Sequence, residues 1–154
     1  MRHVCLWLLG TLAMAMIACG GGASTSNNVA GNWSATLSDS KGATFMQFSA
    51  LLTQGSSYQI SVTNLTFSVA SSCFGKGTAA SSTFGVSQSM DGTPGAPSPN
   101  AFQLTMLSSQ SNLNGVNQLV LQGNLSENTI SGIWTGTGSG TGCADNGSFT
   151  MSRM

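Results

Sequence analysis

Apolar and polar residues alternate along most of the chain after residue 28, and turn-forming residues interrupt the alternation repeatedly. Alternation with a period of two predicts half-buried β-strands, and no segment beyond residue 28 sustains the period of roughly 3.6 residues that an amphipathic helix requires. The segments predicted as strands are 29–38, 43–53, 58–69, 78–88, 101–109, 117–126, 129–138 and 147–153.

The phase of the alternation predicts which side chains face the core. In the first strand Trp33, Ala35 and Leu37 share one face, and the other strands show similar apolar phases. In segment 58–69 the apolar phase changes between Val62 and Leu65, which predicts a β-bulge near Asn64. The strand in 78–88 has the weakest pattern, because it is rich in serine and alanine.

Eight strands joined by short loops predict an all-β fold, an antiparallel up-and-down meander. Closure into an eight-stranded barrel would remove the exposed sheet edges, and a β-sandwich is the alternative. Residues 91–100 contain all three prolines of the chain, so we expect an irregular loop there.

The N-terminus carries the pattern of an export signal. Arg2 precedes an apolar run at 4–17, which is shorter than the roughly 20 residues of a membrane-spanning helix but suits the core of a signal peptide. The sequence Met16-Ile17-Ala18-Cys19 resembles the lipobox of bacterial lipoproteins. This resemblance implies that the signal peptide 1–18 is removed and that Cys19 is lipidated. The alternative is an ordinary secretory signal.

The residues that follow Cys19 agree with a lipid anchor. Residues 19–28 are rich in glycine, serine and asparagine and predict a flexible tether before a single domain at 29–154. By resemblance to bacterial lipoprotein sorting, Gly20 in place of an aspartate implies the outer membrane.

Two cysteines remain in the predicted domain. Cys5 belongs to the signal peptide and Cys19 to the anchor, which leaves Cys73 and Cys143. In an oxidising compartment two remaining cysteines are expected to pair, so we predict a structural disulfide between them.

The segment Gly31-Asn32-Trp33 resembles the Gly-x-Trp motif of calycins, the group that includes lipocalins and avidins. The resemblance implies a lipocalin-like barrel in which Trp33 closes the floor and packs under an arginine from the end of the barrel, here Arg153. It also implies a ligand site in the interior. The residues expected there are Trp33, Phe48, Met106, Trp134, Met151 and Arg153. The similar Gly132-Ile133-Trp134 is interpreted as a local echo of the motif.

The charged residues limit the available chemistry. The chain has four basic and four acidic residues and no net charge, so we expect no nucleic-acid partner. The one histidine is His3, within the predicted signal peptide, which leaves the domain without a histidine-dependent triad or a typical zinc site. The domain's carboxylates all lie in or beside predicted turns: Asp39, Asp91, Glu127 and Asp145. We therefore expect no enzymatic activity, no metal and no cofactor.

Together these patterns predict a lipid-anchored β-domain of the periplasm or cell surface. We expect a non-enzymatic binding or envelope-interaction module, whose partner is an envelope protein or a small apolar ligand. The alternative is a calycin-like carrier that holds a small apolar ligand inside the barrel.

Overall fold

The computed structural model describes residues 27–89, 91, 93–109 and 116–154. All regular structure within these ranges is β-strand. The strands are β1 (Gly31–Asp39), β2 (Thr44–Gln54), β3 (Ile60–Val69), β4 (Thr78–Gln88), β5 (Pro94–Ser109), β6 (Val116–Ser126), β7 (Thr129–Thr137) and β8 (Asp145–Arg153).

The eight strands form one antiparallel sheet rather than the two sheets of a sandwich. Their order is β3-β2-β1-β8-β7-β6-β5-β4, so the first and last strands of the chain are neighbours inside the sheet. All other paired strands are consecutive in sequence. The predicted all-β, up-and-down meander is confirmed.

The sheet curves into an open half-barrel whose two edge strands are β3 and β4. The two edges approach each other at the start of β3. An isolated bridge pairs Gln59 with Thr83, and the Phe84 N–H donates to the Tyr58 carbonyl at 2.8 Å. In the same place the Ser82 hydroxyl donates to the Ile60 carbonyl.

The core lies on the inner face of the curved sheet, as the apolar phases predict. Its side chains come from every strand and from the loop between β3 and β4, because alternate positions of each strand point to one side. The largest fully buried members are Trp33, Trp134, Phe48, Phe74, Phe149, Leu37, Met46, Leu52, Leu104, Met106, Leu119 and Leu121.

Two bulges adjust which residues reach the core. Asn64 has a φ of 52° and lies where the β2–β3 register shifts, which confirms the predicted bulge and explains the change of phase in β3. A second shift separates Leu37 from Ser38 in β1, opposite Phe45 of β2. Phe45 is partly buried and packs against the core instead of facing outward.

The structure of the proline-rich segment differs from the prediction. Residues 94–100, predicted to be an irregular loop, form the first part of β5, where Pro94 pairs with Gln88 and Pro97 with Val86. Proline is compatible with a strand that is paired on one side only, because its missing N–H can face away from the ladder. In this stretch β5 pairs with β4 alone; its pairing with β6 begins at Ala101.

Several predictions fall outside the described residues. These are the signal peptide 1–18, the lipidated Cys19, the tether up to residue 26 and most of the turn at 110–116. Among the described residues, no helix is long and apolar enough to cross a membrane.

Candidate functional site

One end of the core, here called the Trp33 end, is closed by Trp33. Its side chain is fully buried, and its indole N–H donates to the Val29 carbonyl at 2.8 Å. The Arg153 guanidinium lies over the ring, 4.7 Å from its centroid, within the range of a cation–π contact. The contact that the calycin resemblance implies between these residues is therefore present.

Arg153 also fastens the segment that precedes β1. Its guanidinium donates to the carbonyls of Asn28 and Ala30 and to the Asn128 side chain. Gly31 makes this approach possible, because it has a φ of 135° and a Cβ there would lie 2.9 Å from an Arg153 nitrogen. This close approach explains the glycine of the Gly-x-Trp motif. Asn27 and Asn28, which we assigned to the tether, are both bonded to the domain: Asn27 donates to the Asn100 side chain, and the Asn28 carbonyl accepts from Arg153.

The opposite end, here called the Trp134 end, is also closed by a buried tryptophan. The indole N–H of Trp134 donates to the Ser38 carbonyl at 2.8 Å. Phe45 stacks on Trp134 with ring centroids 4.4 Å apart, and Phe74 contacts Phe45 edge-on at 6.3 Å. Aromatic rings therefore cover this end, whereas an arginine covers the Trp33 end.

A disulfide ties the Trp134 end together. Cys73 and Cys143 are bonded, as predicted from the cysteine count, and both are buried. Asn117, 1% exposed, donates from its side-chain amide to the Cys73 carbonyl at 3.2 Å. The amide therefore satisfies a buried backbone acceptor beside the cross-link.

The interior candidates are packed. Trp33, Phe48, Met106, Trp134 and Met151 are each at most 1% exposed, and Arg153 is half-buried at the rim. A side chain that faces a cavity wide enough for water keeps accessible surface. These five residues therefore belong to a filled core and face no cavity that a water molecule could enter.

The open concave surface lies on the opposite face of the sheet. We call it the outer groove; its volume is about 610 Å³, within the range of small-ligand sites. It is lined by Gln103, Thr105, Gln118, Val120, Gln122, Ile133, Thr135 and Thr137 of β5–β7, together with Ser81, Gln88 and Asp91.

The end of the β4–β5 hairpin forms one wall of this groove. Between the pairs Phe84–Phe102 and Val86–Pro97, β4 advances two residues while β5 advances five, so the hairpin bends. Gly85 lies at the bend with a φ of 89°. Beyond it, Gln88 and Asp91 line the same groove as the outer side chains of β5–β7.

The floor of the groove is a ladder of amides and hydroxyls. Gln103 lies opposite Gln122, which lies opposite Ile133, and the amide of Gln122 donates to that of Gln103 at 3.4 Å. This bond leaves each amide with further donor and acceptor capacity. The groove can therefore offer hydrogen bonds in both directions.

The described lining of the groove contains a single charged residue. A hydrogen bond from the Ser89 hydroxyl, with another from the Thr93 backbone N–H, lowers the pKa of Asp91 from 3.8 to about 2. Asp91 is therefore ionised at physiological pH. A groove with one carboxylate and no cation among its described residues disfavours anionic ligands.

The other acidic side chains of the described residues are Asp39 and Glu127, beside or in turns, and Asp145, which begins β8. Asp39 accepts from the backbone N–H groups of Lys41 and Ala43 and so closes the β1–β2 turn. Glu127 occupies the tight β6–β7 turn with a φ of 55°. Within the described ranges no three potential metal-ligating side chains come together.

In comparisons with known proteins, no family model, no curated protein and no solved structure matches this chain.

The outer groove was not predicted from the sequence. The alternation does put Gln118, Val120 and Gln122 on the face opposite the core, which was a usable signal. No pattern in the sequence predicted the bend of the β4–β5 hairpin, which forms one wall of the groove. The bend depends on Gly85 in a serine-rich strand and on the proline segment, which we interpreted as a loop.

Proposed function

We propose that this chain is an exported bacterial lipoprotein. Cys19 carries the lipid, residues 1–18 are removed, and the domain lies at the outer membrane, facing the periplasm or the cell surface. The lipobox-like Met16–Cys19 supports this proposal, and a disulfide between Cys73 and Cys143 agrees with an oxidising compartment. Asn27 donates to the Asn100 side chain and Arg153 holds Asn28, which leaves residues 19–26 as the tether.

We propose that the domain is a non-enzymatic binding module whose ligand or envelope partner occupies the outer groove. The observation that carries this proposal is a contrast: the interior candidates are filled core, while the groove is open. The amide and hydroxyl groups of the groove favour an uncharged partner surface that both donates and accepts hydrogen bonds.

The second candidate is a calycin-like carrier of a small apolar ligand. The Trp33–Arg153 contact favours it, since this is the pairing that the calycin resemblance implies. In this candidate the half-barrel closes into a full eight-stranded barrel. The hydrogen bond from Phe84 to Tyr58 supports such closure. A carrier would require the core around Phe48 and Met106 to open.

Photo-crosslinking in the bacterial envelope tests the groove. p-Benzoylphenylalanine replaces Thr135 in the groove or, as the matched control, Thr150 on the outward, exposed face of β8. Both are exposed threonines of central strands, but only Thr135 lines the groove. We expect a discrete adduct from position 135 and none from position 150.

Adducts from neither position, or equally from both, would contradict a groove partner. A small apolar adduct obtained only when the crosslinker replaces Phe48 would favour the carrier. The anchor is tested separately by mass spectrometry of the envelope-purified N-terminal peptide. We expect a diacylglyceryl cysteine at position 19, and an unmodified cysteine would contradict lipidation.

A further inference from the structure

A second pocket lies where the edges of β3 and β4 approach each other, apart from the outer groove. We call it the Tyr58 pocket; its volume is about 350 Å³, at the lower end of the range for small-ligand sites. Tyr58, Phe84, Gly85, Pro97 and Pro99 form its largely apolar walls, and Gln54 and Ser98 add polar groups.

Tyr58 is held in an unusual backbone conformation. Its φ is 62°, directly after Ser57 with a φ of 68°, so two consecutive non-glycine residues occupy the left-handed region. Both residues lie in the turn between β2 and β3, and consecutive positive φ values occur in tight hairpin turns, although a bulky residue rarely adopts them. Here the Phe84 N–H, which donates to the Tyr58 carbonyl at 2.8 Å, helps to hold this conformation.

The conformation presents an aromatic ring to solvent. Tyr58 is 50% exposed, the only aromatic residue among the large exposed hydrophobics of the described chain. One side of its ring lies on Gly85, where a Cβ would be 2.8 Å from a ring carbon. The glycine therefore sets how deeply the ring lies in the pocket, and the rest of the ring remains available for contact.

The polar groups are suited to hydroxyl ligands. Gln54 accepts the Val29 N–H through its side-chain oxygen at 3.0 Å, a bond that does not use the amide's N–H groups. The Tyr58 and Ser98 hydroxyls can each donate and accept. None of the described residues that line the pocket is charged, so the pocket has no counter-charge for a phosphate, a carboxylate or an amine.

From this combination we propose that the Tyr58 pocket binds a pyranose ring of an uncharged carbohydrate. The apolar C–H face of the sugar lies against Tyr58 and the proline rings, and its hydroxyls reach the polar groups of the pocket. A peptide fits less well, because Pro97 and Pro99 offer no backbone N–H to an extended chain. The site is independent of the partner proposed for the outer groove.

Tyr58 provides a direct spectroscopic probe, because it is the only tyrosine of the chain. Full-length protein with ring-labelled tyrosine is purified in a polyoxyethylene detergent, which has no sugar headgroup. The methyl pyranosides of glucose, galactose, mannose and N-acetylglucosamine are titrated while the single tyrosine signal is followed by NMR. We expect at least one of them to shift the signal saturably, with a dissociation constant on the order of millimolar for so small a ligand.

Two proline variants provide the matched comparison. Pro97→Ala removes a wall of the pocket and should weaken binding roughly three- to ten-fold, through lost apolar contact. Pro94→Ala alters an exposed proline of the same strand that does not line the pocket and should leave binding unchanged. An unshifted tyrosine signal with all four sugars, or equal weakening by both variants, overturns the proposal. A proline-rich peptide that shifts the signal where the sugars do not also overturns it, in favour of a peptide site.

Discussion

Each end of the core is closed by a tryptophan, but different groups cover the two tryptophans. Trp33 and Trp134 both follow a Gly-x sequence, both are fully buried, and both donate an indole hydrogen bond of 2.8 Å to a backbone carbonyl. At the Trp134 end the cover is aromatic rings and a disulfide. At the Trp33 end it is Arg153 and the chain segment that precedes β1.

The difference shows that a buried Gly-x-Trp segment can be covered either by a disulfide with aromatic rings or by an arginine with its hydrogen bonds. A disulfide remains closed under any thermal fluctuation, whereas hydrogen bonds from a half-buried arginine compete with water. The Trp33 end is therefore expected to open first, and it is the end that adjoins the proposed tether. The two tryptophans report on the two ends separately, because the third, Trp7, lies in the predicted signal peptide.

The largest effect is expected from removing the disulfide. The bond joins residues separated by 70 positions, and the chain-entropy model gives about 4 kcal/mol for a loop of this size. The double variant Cys73→Ala/Cys143→Ala should lose roughly this much free energy of unfolding in urea. Reductant should destabilise the unaltered protein and leave the variant unchanged. A loss below about 1 kcal/mol would contradict a covalent closure of the Trp134 end.

Replacement of Arg153 tests the polar closure. Arg153→Met removes the cation–π contact and three hydrogen bonds, for an expected loss of about 2–3 kcal/mol. Arg153→Lys keeps the charge but loses the planar fork, so its loss should be intermediate. In Trp134→Phe protein, where Trp33 is the remaining reporter in the domain, Arg153→Met should make acrylamide quench Trp33 more strongly. If Lys restores full stability, the fork geometry has no role.

A smaller effect is expected at Asn117. Asn117→Ala leaves the buried Cys73 carbonyl without its side-chain donor, which should cost about 1–2 kcal/mol. Asn124→Ala, on the same strand but exposed, is the matched control and should change stability little. Equal losses of stability in the two variants would show that the buried Asn117 amide contributes no more than the exposed Asn124 amide.

The smallest effect concerns Asp91, the one charged residue in the described lining of the outer groove. The pKa of Asp91 is lowered in the folded state, so its contribution to stability is present above the ordinary value of 3.8 and is lost as the pH falls through about 2. NMR titration of the Asp91 carboxyl carbon should give a midpoint near 2. Ser89→Ala removes the largest cause and should raise this midpoint toward 3.8. An unchanged midpoint in the variant would contradict that assignment.

Most of the fold was predictable from the strand alternation and the cysteine count. They predicted all eight strands, the inward residues such as Leu104 and Leu121, the bulge at Asn64 and the disulfide. These features are local or follow from a simple pairing rule. Of the residues expected in the interior, the aromatic and methionine side chains were placed in the core by the alternation, and all of them lie in the core cluster.

The surfaces proposed as sites were not predictable in the same way. Tyr58 is in phase with Ile60 and Val62, so alternation placed it in the core, but its positive φ turns it outward. The hairpin bend lies where Gly85 meets the ring of Tyr58, which comes from the turn between β2 and β3. Such contacts join distant parts of the chain, and a single sequence carries no pattern for them.

The central claim is that both ends of the core are closed and that ligands bind outside it. Native mass spectrometry of the full-length protein, purified from a bacterial envelope and released from detergent in the gas phase, tests this most directly. We expect a mass equal to the processed, lipidated chain, with no small apolar molecule retained at stoichiometric amounts. A retained apolar molecule that is lost on denaturation would contradict the closed core and establish the carrier in its place.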